Sequence, residues 1–146
     1  MADKIPTIIT TDILHFISTN NIASVCCSAD NKPYCFNCFY SVLEEEGCIV
    51  FKSSADTNHM KILSKNNMVA GTIIASEVSI AKIEGIQFEG LNIEKDKTTL
   101  KAAKSYYLRY PFAITVPGKL WILELHAIKY TNTTNGIKHK LEWERK

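Results

Sequence analysis

The sequence predicts a single domain of the mainly β class, an antiparallel β-barrel with short helices flanking it. Its 146 residues suffice for one hydrophobic core but are few for two, so we assign residues 1–146 to one domain. Short segments rich in valine, isoleucine and aromatic residues alternate with turn-forming residues, which is typical of β-sheets. Few connections are long enough for the crossovers of a parallel sheet, which favours antiparallel pairing.

The first half of the chain predicts one helix and then three strands. Apolar residues at helical spacing predict a helix over residues 10–19, which Thr10 or Thr11 can cap. Strands are expected over residues 22–29, 34–42 and 48–54. The turn-forming sequences DNKP and EEEG separate these strands, which indicates a series of hairpins.

A second helix is predicted to interrupt the strands after Ser54. Thr57 is a cap-type residue, and the residues that follow it suit a short amphipathic helix ending near Asn66. Two strands are expected next, over residues 68–75 and 78–94. In the longer strand, Gly85 and Gly90 mark expected bulges or close backbone contacts.

The last third of the chain predicts one more helix and two strands. The sequence TTLKAAKSYYL favours a helix over residues 98–108, which must end before Pro111. Alternating apolar and polar residues predict a half-buried strand over residues 120–130, and residues 137–143 form an expected last strand. The basic residues near the C-terminus alternate with glutamates, so we interpret them as a solvated strand face.

Charge and cysteine content exclude several classes of function. Seventeen lysines and arginines against fifteen acidic residues give a net charge of +2, too small to indicate a nucleic-acid partner. No apolar stretch approaches the ~20 residues needed to cross a bilayer, so no membrane role is expected. The five cysteines are an odd number and the N-terminal sequence has no apolar leader, so we expect reduced thiols and a cytoplasmic location.

The sequence contains no recognisable catalytic or metal-binding motif. Cys35 and Cys38 form a CxxC, but residues three apart in a strand point to opposite faces and cannot share a metal or a disulfide. The four histidines stand apart from any serine or cysteine motif, so no activated nucleophile is predicted. Neither GxGxxG nor a Walker loop is present. We therefore expect no metal and assign no catalytic residue.

The sequence FKSSADTNHMKIL predicts a candidate anion site. A strand ends at Ser54, and the first amide groups of the helix that Thr57 opens have no intrahelical partners. Those amides, the helix dipole and the nearby hydroxyl groups suit a phosphate. Positive charge would come from Lys52, His59 or Lys61. Ordinary helix capping is the alternative interpretation, and it is the commoner use of such residues.

Three segments, taken in order, carry a resemblance to a known family. They are YCFNCFY (34–40), FKSSADTNHMKILSKNN (51–67) and IEGIQFEG (83–90). In this order they resemble the FMN-binding split barrels of the pyridoxamine 5′-phosphate oxidase type. The nearest likeness is to the small YhbP-like branch, which also shows AGT (70–72), an RYP-like triplet (109–111) and KYTNTT (129–134). The likeness covers nearly the whole chain.

This resemblance implies a split-barrel fold and a homodimer that binds FMN in two equivalent clefts at the subunit interface. The flavin ring would lie along one strand, beside Asn37, Cys38, Phe39 and Tyr40. The phosphate would lie at the strand-to-helix turn, held by Lys52, Ser53, Ser54, Thr57, Asn58 and His59. The partner subunit would contribute Trp121, Lys138 or the corner formed by Arg109, Tyr110 and Pro111.

The chain departs from the oxidases in two places. Asn58 and His59 stand where the oxidases carry Arg-Lys, which exchanges two fixed charges for an amide and a titratable imidazole. The C-terminal arginine and histidine with which the oxidases bind pyridoxamine phosphate have no counterpart here. Oxidation of vitamin B6 is therefore not the first expectation.

The function that the resemblance implies is an FMN-dependent oxidoreductase acting on a small molecule. In such enzymes the protein orients the flavin and excludes water, and no side chain need be catalytic. A non-enzymatic flavin or haem carrier is the alternative, with His59 or His126 as candidate haem ligands. A third hypothesis is a partner-binding barrel that has lost its cofactor, motivated by the missing Arg-Lys pair.

Overall fold

The computed structural model describes residues 9–94 and 99–146. Its helices are α1 (Thr11–Thr19), α2 (Asn58–Lys65) and α3 (Thr99–Arg109), and a 3₁₀ helix covers Pro111–Thr115. Its strands are β1 (Ile22–Ala29), β2 (Lys32–Leu43), β3 (Cys48–Ser53), β4 (Met68–Ile74), β5 (Lys82–Ile93), β6 (Lys119–Thr134) and β7 (Ile137–Glu144). The N-terminal residues 1–8, which bear on the expected lack of a leader, and the predicted helix start at residue 98 lie outside the described residues. Within the described ranges, no helix is long and apolar enough to cross a membrane.

Six of the strands close into a barrel, and the strand pairs between described residues are antiparallel. The strand order is β3-β2-β1-β4-β5-β6-β7, and a further pairing of β3 with β6 completes the ring. One edge of β6 serves two partners: residues 119–124 pair with β3, and residues 127–134 pair with β7. β7 therefore lies outside the ring. The predicted antiparallel barrel with flanking helices is confirmed.

Alternate side chains of the strands fill the barrel with apolar groups. Along β4, Val69 and Ile73 point inward and are at most 6% exposed, while the residues beside them face solvent. The apolar face of α1 joins the same core, where Phe16 packs edge-on against Tyr130 with 5.5 Å between ring centroids. Removing such surface from water stabilises a fold by roughly 25 cal/mol per Å².

The β1–β2 hairpin turns more tightly than the sequence predicts. Asp30 and Asn31 have φ values of 52° and 61°, so they form a two-residue turn. β2 consequently begins at Lys32, paired with Ala29, rather than at residue 34. Asparagine and aspartate tolerate this left-handed conformation better than most residues, which explains the turn.

The predicted strand over residues 78–94 is shorter than expected at its start. β5 begins only at Lys82, because Ser79 Oγ accepts hydrogen bonds from the amides of Ala81 and Lys82 and closes a turn at the start of the strand. Val78 and Ile80, which suggested a strand, are exposed. Apolar composition alone therefore overestimated the length of this strand.

Gly90 lies at a bulge, as predicted. The register between β5 and β6 shifts at this residue. A Cβ atom at Gly90 would lie 2.3 Å from the carbonyl oxygen of Glu124, so the two backbones are in contact there. The bulge depends on the absence of a side chain.

α3 lies across the outside of the barrel and positions the segment that follows it. Ala102 and Tyr106 are buried in a second apolar cluster with residues of β2, β3 and β6. Ser105 Oγ lies 2.9 Å from Ser41 Oγ, which ties the helix to β2. The helix ends at Arg109, before the proline, as the sequence predicts. The 3₁₀ helix therefore lies beside the middle of β2 and the end of β3.

Candidate functional site

A cavity of about 580 Å³ lies between β2, the end of β3, the start of α2 and the segment after α3. Its aromatic lining residues are Phe36, Phe39, Phe51, Tyr106, Tyr110 and Phe112. Its polar and charged lining residues include Asn37, Lys52, Ser53, His59 and Arg109. Predominantly apolar walls with a few convergent polar groups are typical of small-molecule sites, and the volume falls in their usual range.

Ser53 and His59 form the polar end of this cavity. Ser53 ends β3, and His59 lies in the first turn of α2, so the strand-to-helix turn brings the two together. Ser53 Oγ is 2.7 Å from His59 Nε2, and the imidazole stacks on the ring of Phe36 at 3.8 Å between centroids. Burial lowers the pKa of His59, so the ring is neutral at pH 7. At pH 7 His59 therefore contributes a hydrogen bond to the polar end of the cavity, whereas the sequence suggested a positive charge.

Lowering the pH from 7 to 5 should destabilise the wild-type fold more than the His59→Gln fold. Because the pKa of His59 is lowered below its usual 6.5 by burial, the unfolded chain takes up a proton more readily in this range. The stabilising contribution of the neutral His59 ring is complete above pH 6.5 and is lost as the pH falls through the folded-state pKa. The extra loss of unfolding free energy in the wild type should stay below about 1 kcal/mol, since the ring is only half-buried. Urea unfolding at both pH values measures it, and equal pH dependence of the two proteins would contradict it.

The turn before α2 caps the helix. Thr57 Oγ1 accepts from the amide of Met60 at 3.4 Å and lies 2.9 Å from the carbonyl oxygen of Ser54. Ser54 Oγ donates to Asp56 Oδ1, and this hydrogen bond lowers the pKa of the Asp56 carboxyl. Ordinary capping therefore accounts for Thr57. The hydroxyl of Ser54 serves Asp56 and does not line the cavity.

Two cations lie in the cavity wall and are held by backbone carbonyls. Lys52 Nζ donates to the carbonyl oxygen of Ala113 at 2.6 Å. Arg109 Nη2 lies 2.5 Å from the carbonyl oxygen of Asn20 and 2.5 Å from Asn21 Oδ1. These contacts join the 3₁₀ helix to β3, and the end of α3 to the residues just before β1. Fixed positive charge near the cavity thus comes from Lys52 and Arg109.

The strand beside the cavity uses its side chains in different ways. Asn37 Oδ1 accepts from Ser24 Oγ at 2.6 Å, and the ring of Phe39 meets that of Tyr110 edge-on at 5.6 Å. Burial raises the pKa of the Cys38 thiol to about 12, so this thiol stays protonated. Tyr40 is fully buried and donates to a carbonyl of α1, so its side chain belongs to the core.

The structure brings six of the predicted site residues to one cavity: Asn37, Cys38, Phe39, Lys52, Ser53 and His59. The other five do not line it: Tyr40, Ser54, Thr57, Asn58 and Trp121. Trp121 Nε1 donates to the Ser53 carbonyl oxygen at 2.8 Å, and its ring lines a different cavity together with Lys61. The other candidate haem ligand, His126, also lies elsewhere, 2.9 Å from a carboxylate oxygen of Glu124.

The end of α3 and the segment after it contribute more of the wall than the sequence indicated. Arg109, Tyr110 and Pro111, expected to come from a partner subunit, line the cavity of their own chain. Tyr106 and Phe112 line it too, and sequence reasoning missed both. Their only signal was aromatic spacing near a proline, which is common in cores. Among the described residues, no group of three histidine, cysteine or acidic side chains could hold a metal ion.

Solved structures share this fold. An FAD-binding protein of Mesorhizobium loti aligns with a TM-score of 0.71 over 86% of this chain and 96% of that one, at 9% identity. A haem-binding protein of Mycobacterium smegmatis aligns with a TM-score of 0.69 over 86% of this chain and 54% of that one, at 14% identity. HutZ, a haem storage protein of Vibrio cholerae, aligns with a TM-score of 0.61 over 78% and 86% of the two chains, at 14% identity. The fold is the split barrel of the pyridoxamine 5′-phosphate oxidase type.

Two sequence relatives cover almost the whole chain, although no family model matches it. The UPF0306 protein plu4501 of Photorhabdus laumondii is 35% identical over 138 residues, which cover 91% of this chain and 94% of the relative. The UPF0306 protein YE0465 of Yersinia enterocolitica is 34% identical over 134 residues, which cover 91% of each. With this identity over this length, the chain belongs to the UPF0306 family.

Proposed function

We propose that the chain is a cytoplasmic FMN-binding protein that oxidises or reduces a small molecule, and that it works as a homodimer. The observation that carries the proposal is the cavity itself, whose walls are aromatic and whose one end is the Ser53–His59 pair beside the start of a helix. The resemblance of the FKSSADTNHMKIL segment to the phosphate turn of the flavin split barrels, and of further motifs to the YhbP-like branch, supports it. So do the flavin- and haem-binding structural neighbours.

The residues present fit the two parts of FMN. Phe39 and Tyr110 would contact the flat ring, since aromatic side chains pack favourably against such surfaces. Ser53, His59 and the first amides of α2 would hold the phosphate, with Lys52 nearby for charge. FMN, when bound, would supply the hydride chemistry.

The side chains around the cavity would orient the bound flavin and substrate and exclude water from them, and none would act as a nucleophile. Burial raises the pKa of the Cys38 thiol and of the Tyr106 hydroxyl to about 12, so both keep their protons at neutral pH. The Tyr110 hydroxyl donates to the carbonyl oxygen of Tyr40 at 2.6 Å, which fixes the ring at the cavity wall. These side chains would therefore exclude water and direct hydrogen bonds, and none is assigned a catalytic role.

A row of exposed apolar residues beside the cavity supports the homodimer. Phe39 is 54% exposed, Ile22 opposite it is 49% exposed, and Ile74 on the next strand is 60% exposed. The pairing of β1 with β4 ends at Ser24 and Thr72, two residues short of Ile22 and Ile74, and all three apolar residues line one shallow depression of the surface. Because Phe39 also lines the cavity, a second copy covering this row would close the mouth of the site.

The visible absorption spectrum before and after FMN addition, followed by desalting, tests the proposal. We expect FMN to be retained at close to one per chain, and a colourless desalted protein would contradict flavin binding at this site. The variant carrying Asn58→Arg and His59→Lys should retain FMN more tightly by about tenfold or more, because it adds two positive charges in the first turn of α2, one of them in the cavity wall and one beside it. Sedimentation velocity of the same samples measures assembly, and a monomer would contradict the dimer.

Haem binding is a second candidate, favoured by one observation. His59 presents a neutral imidazole in the wall of the aromatic cavity, which is the form that binds haem iron. Haem addition should then give a Soret band that His59→Ala abolishes. His126→Ala is the matched control, because His126 lies on a different cavity and its loss should leave the band unchanged.

A further inference from the structure

Cys26 and Cys35 lie side by side on the outer face of the β1–β2 hairpin. They are direct partners in the register of the two strands, and their Sγ atoms are 2.8 Å apart. The CxxC motif pairs Cys35 with Cys38 on the same strand, but the cysteine next to Cys35 in the structure is Cys26, on the other strand of the hairpin. The two thiols stand apart from the proposed flavin cavity and line none of its wall.

The hydrogen-bond pattern of the hairpin shows that this pair occupies a non-hydrogen-bonded position. In antiparallel strands the two kinds of pair alternate. The Tyr40 amide donates to the carbonyl oxygen of Asn21 at 3.0 Å, so that pair is hydrogen-bonded, and Cys26–Cys35 lies five pairs further along. At non-hydrogen-bonded positions the Cα atoms are about 4.5 Å apart, within the span that a disulfide accepts. The register therefore permits a bond without moving either strand.

The two sulfurs differ in access. Cys35 is exposed, whereas Cys26 is half-buried, and its hydrogen bond with Cys35 together with burial raises the pKa of the Cys26 thiol to about 11. Cys35 is thus the sulfur that an external reagent meets first. The remaining cysteines, all within the described residues, are Cys27 and Cys48, which are buried, and Cys38, which is half-buried at the cavity.

We propose that Cys26 and Cys35 form a dithiol site that reduces small disulfide compounds and closes into an intramolecular disulfide. The Cys35 thiolate attacks one sulfur of the compound RSSR, which forms a Cys35–SR bond, breaks the S–S bond and releases RS⁻. The Cys26 thiolate then attacks Cys35 sulfur, which forms the Cys26–Cys35 bond and releases the second RS⁻. The two cysteine protons end on the two released thiolates. Two electrons pass from the cysteines to RSSR, which leaves as two RSH.

Oxidised glutathione is a suitable probe for the reduced, full-length chain. After incubation, free thiols are blocked, and the chain is cut with an endoproteinase that cleaves before aspartate. Cleavage before Asp30 separates Cys26 and Cys27 from Cys35, Cys38 and Cys48. We expect the five free thiols per chain to fall to three, with the two fragments joined, and dithiothreitol to restore all five.

Two variants assign the roles. Cys26→Ser removes the second attacking sulfur, so a glutathione mixed disulfide should accumulate on Cys35. Cys27→Ser is the matched control, because its side chain lies on the opposite face of the same strand, and the fragments should still join. Five thiols remaining in the wild type would overturn the proposal. Loss of the link in Cys27→Ser, or a link between two chains on a non-reducing gel, would overturn it too.

Discussion

Replacing Ser53 with aspartate is expected to weaken FMN binding about 100-fold. Ser53 Oγ lies at the polar end of the cavity, 2.7 Å from His59 Nε2, where the proposal puts the phosphate. Two like charges about 4 Å apart repel by roughly 4 kcal/mol at a protein surface, and each 1.4 kcal/mol is tenfold in affinity. Partial protonation of His59 beside the new carboxylate would offset some of this repulsion. Fluorescence titration with FMN measures the effect.

Ser64→Asp is the matched control for this substitution. It adds the same charge on the same stretch of chain, but Ser64 is exposed in the last turns of α2 and does not line the proposed site. Its FMN affinity should stay within about twofold of the wild type. If a folded Ser53→Asp protein bound FMN as tightly as the control, the phosphate would have to lie elsewhere.

Gly90→Ala should destabilise the fold by about 3 kcal/mol. The added Cβ would lie 2.3 Å from the carbonyl oxygen of Glu124, so β5 and β6 would have to separate at the bulge. Overpacking against backbone typically costs 1–3 kcal/mol and occasionally more. Urea unfolding followed by circular dichroism measures the change.

Gly85→Ala provides the comparison on the same strand. A Cβ there would lie 3.1 Å from the carbonyl oxygen of Ile73, a tighter contact than usual but one that a small shift relieves. We expect a loss of about 1 kcal/mol or less. Equal destabilisation of the two variants would mean that the close approach at Gly90 does not limit the stability of the barrel.

Much of the fold is predictable because its elements depend on local patterns. The helix before β1, the cap at Thr57 and the bulge at Gly90 follow from residues close in sequence. The closure of the ring does not, because the pairing of β3 with β6 joins segments about seventy residues apart. The exposed turn at Val78 and Ile80 escaped prediction because apolar side chains there suggested a strand.

The candidate site was predictable only where one stretch of chain builds it. Ser53 and His59 are six residues apart across a strand-to-helix turn, so their proximity follows from the motif. Tyr106 and Phe112 reach the same cavity from a distant segment, which spacing cannot reveal. The lowered pKa of His59 reflects burial of the ring, which includes stacking on Phe36, a contact between different elements.

The way Lys52 and Arg109 are anchored affects how the cavity would accept an anionic ligand. A flexible lysine or arginine that must be immobilised during binding costs about 0.5–1.5 kcal/mol of conformational freedom. Here the carbonyl oxygens of Ala113 and Asn20 have already immobilised both side chains, and each cation has further N–H donors without an acceptor among the residues that the structure describes. The entropic penalty is met during folding, so the cavity would be preorganised for an anionic ligand.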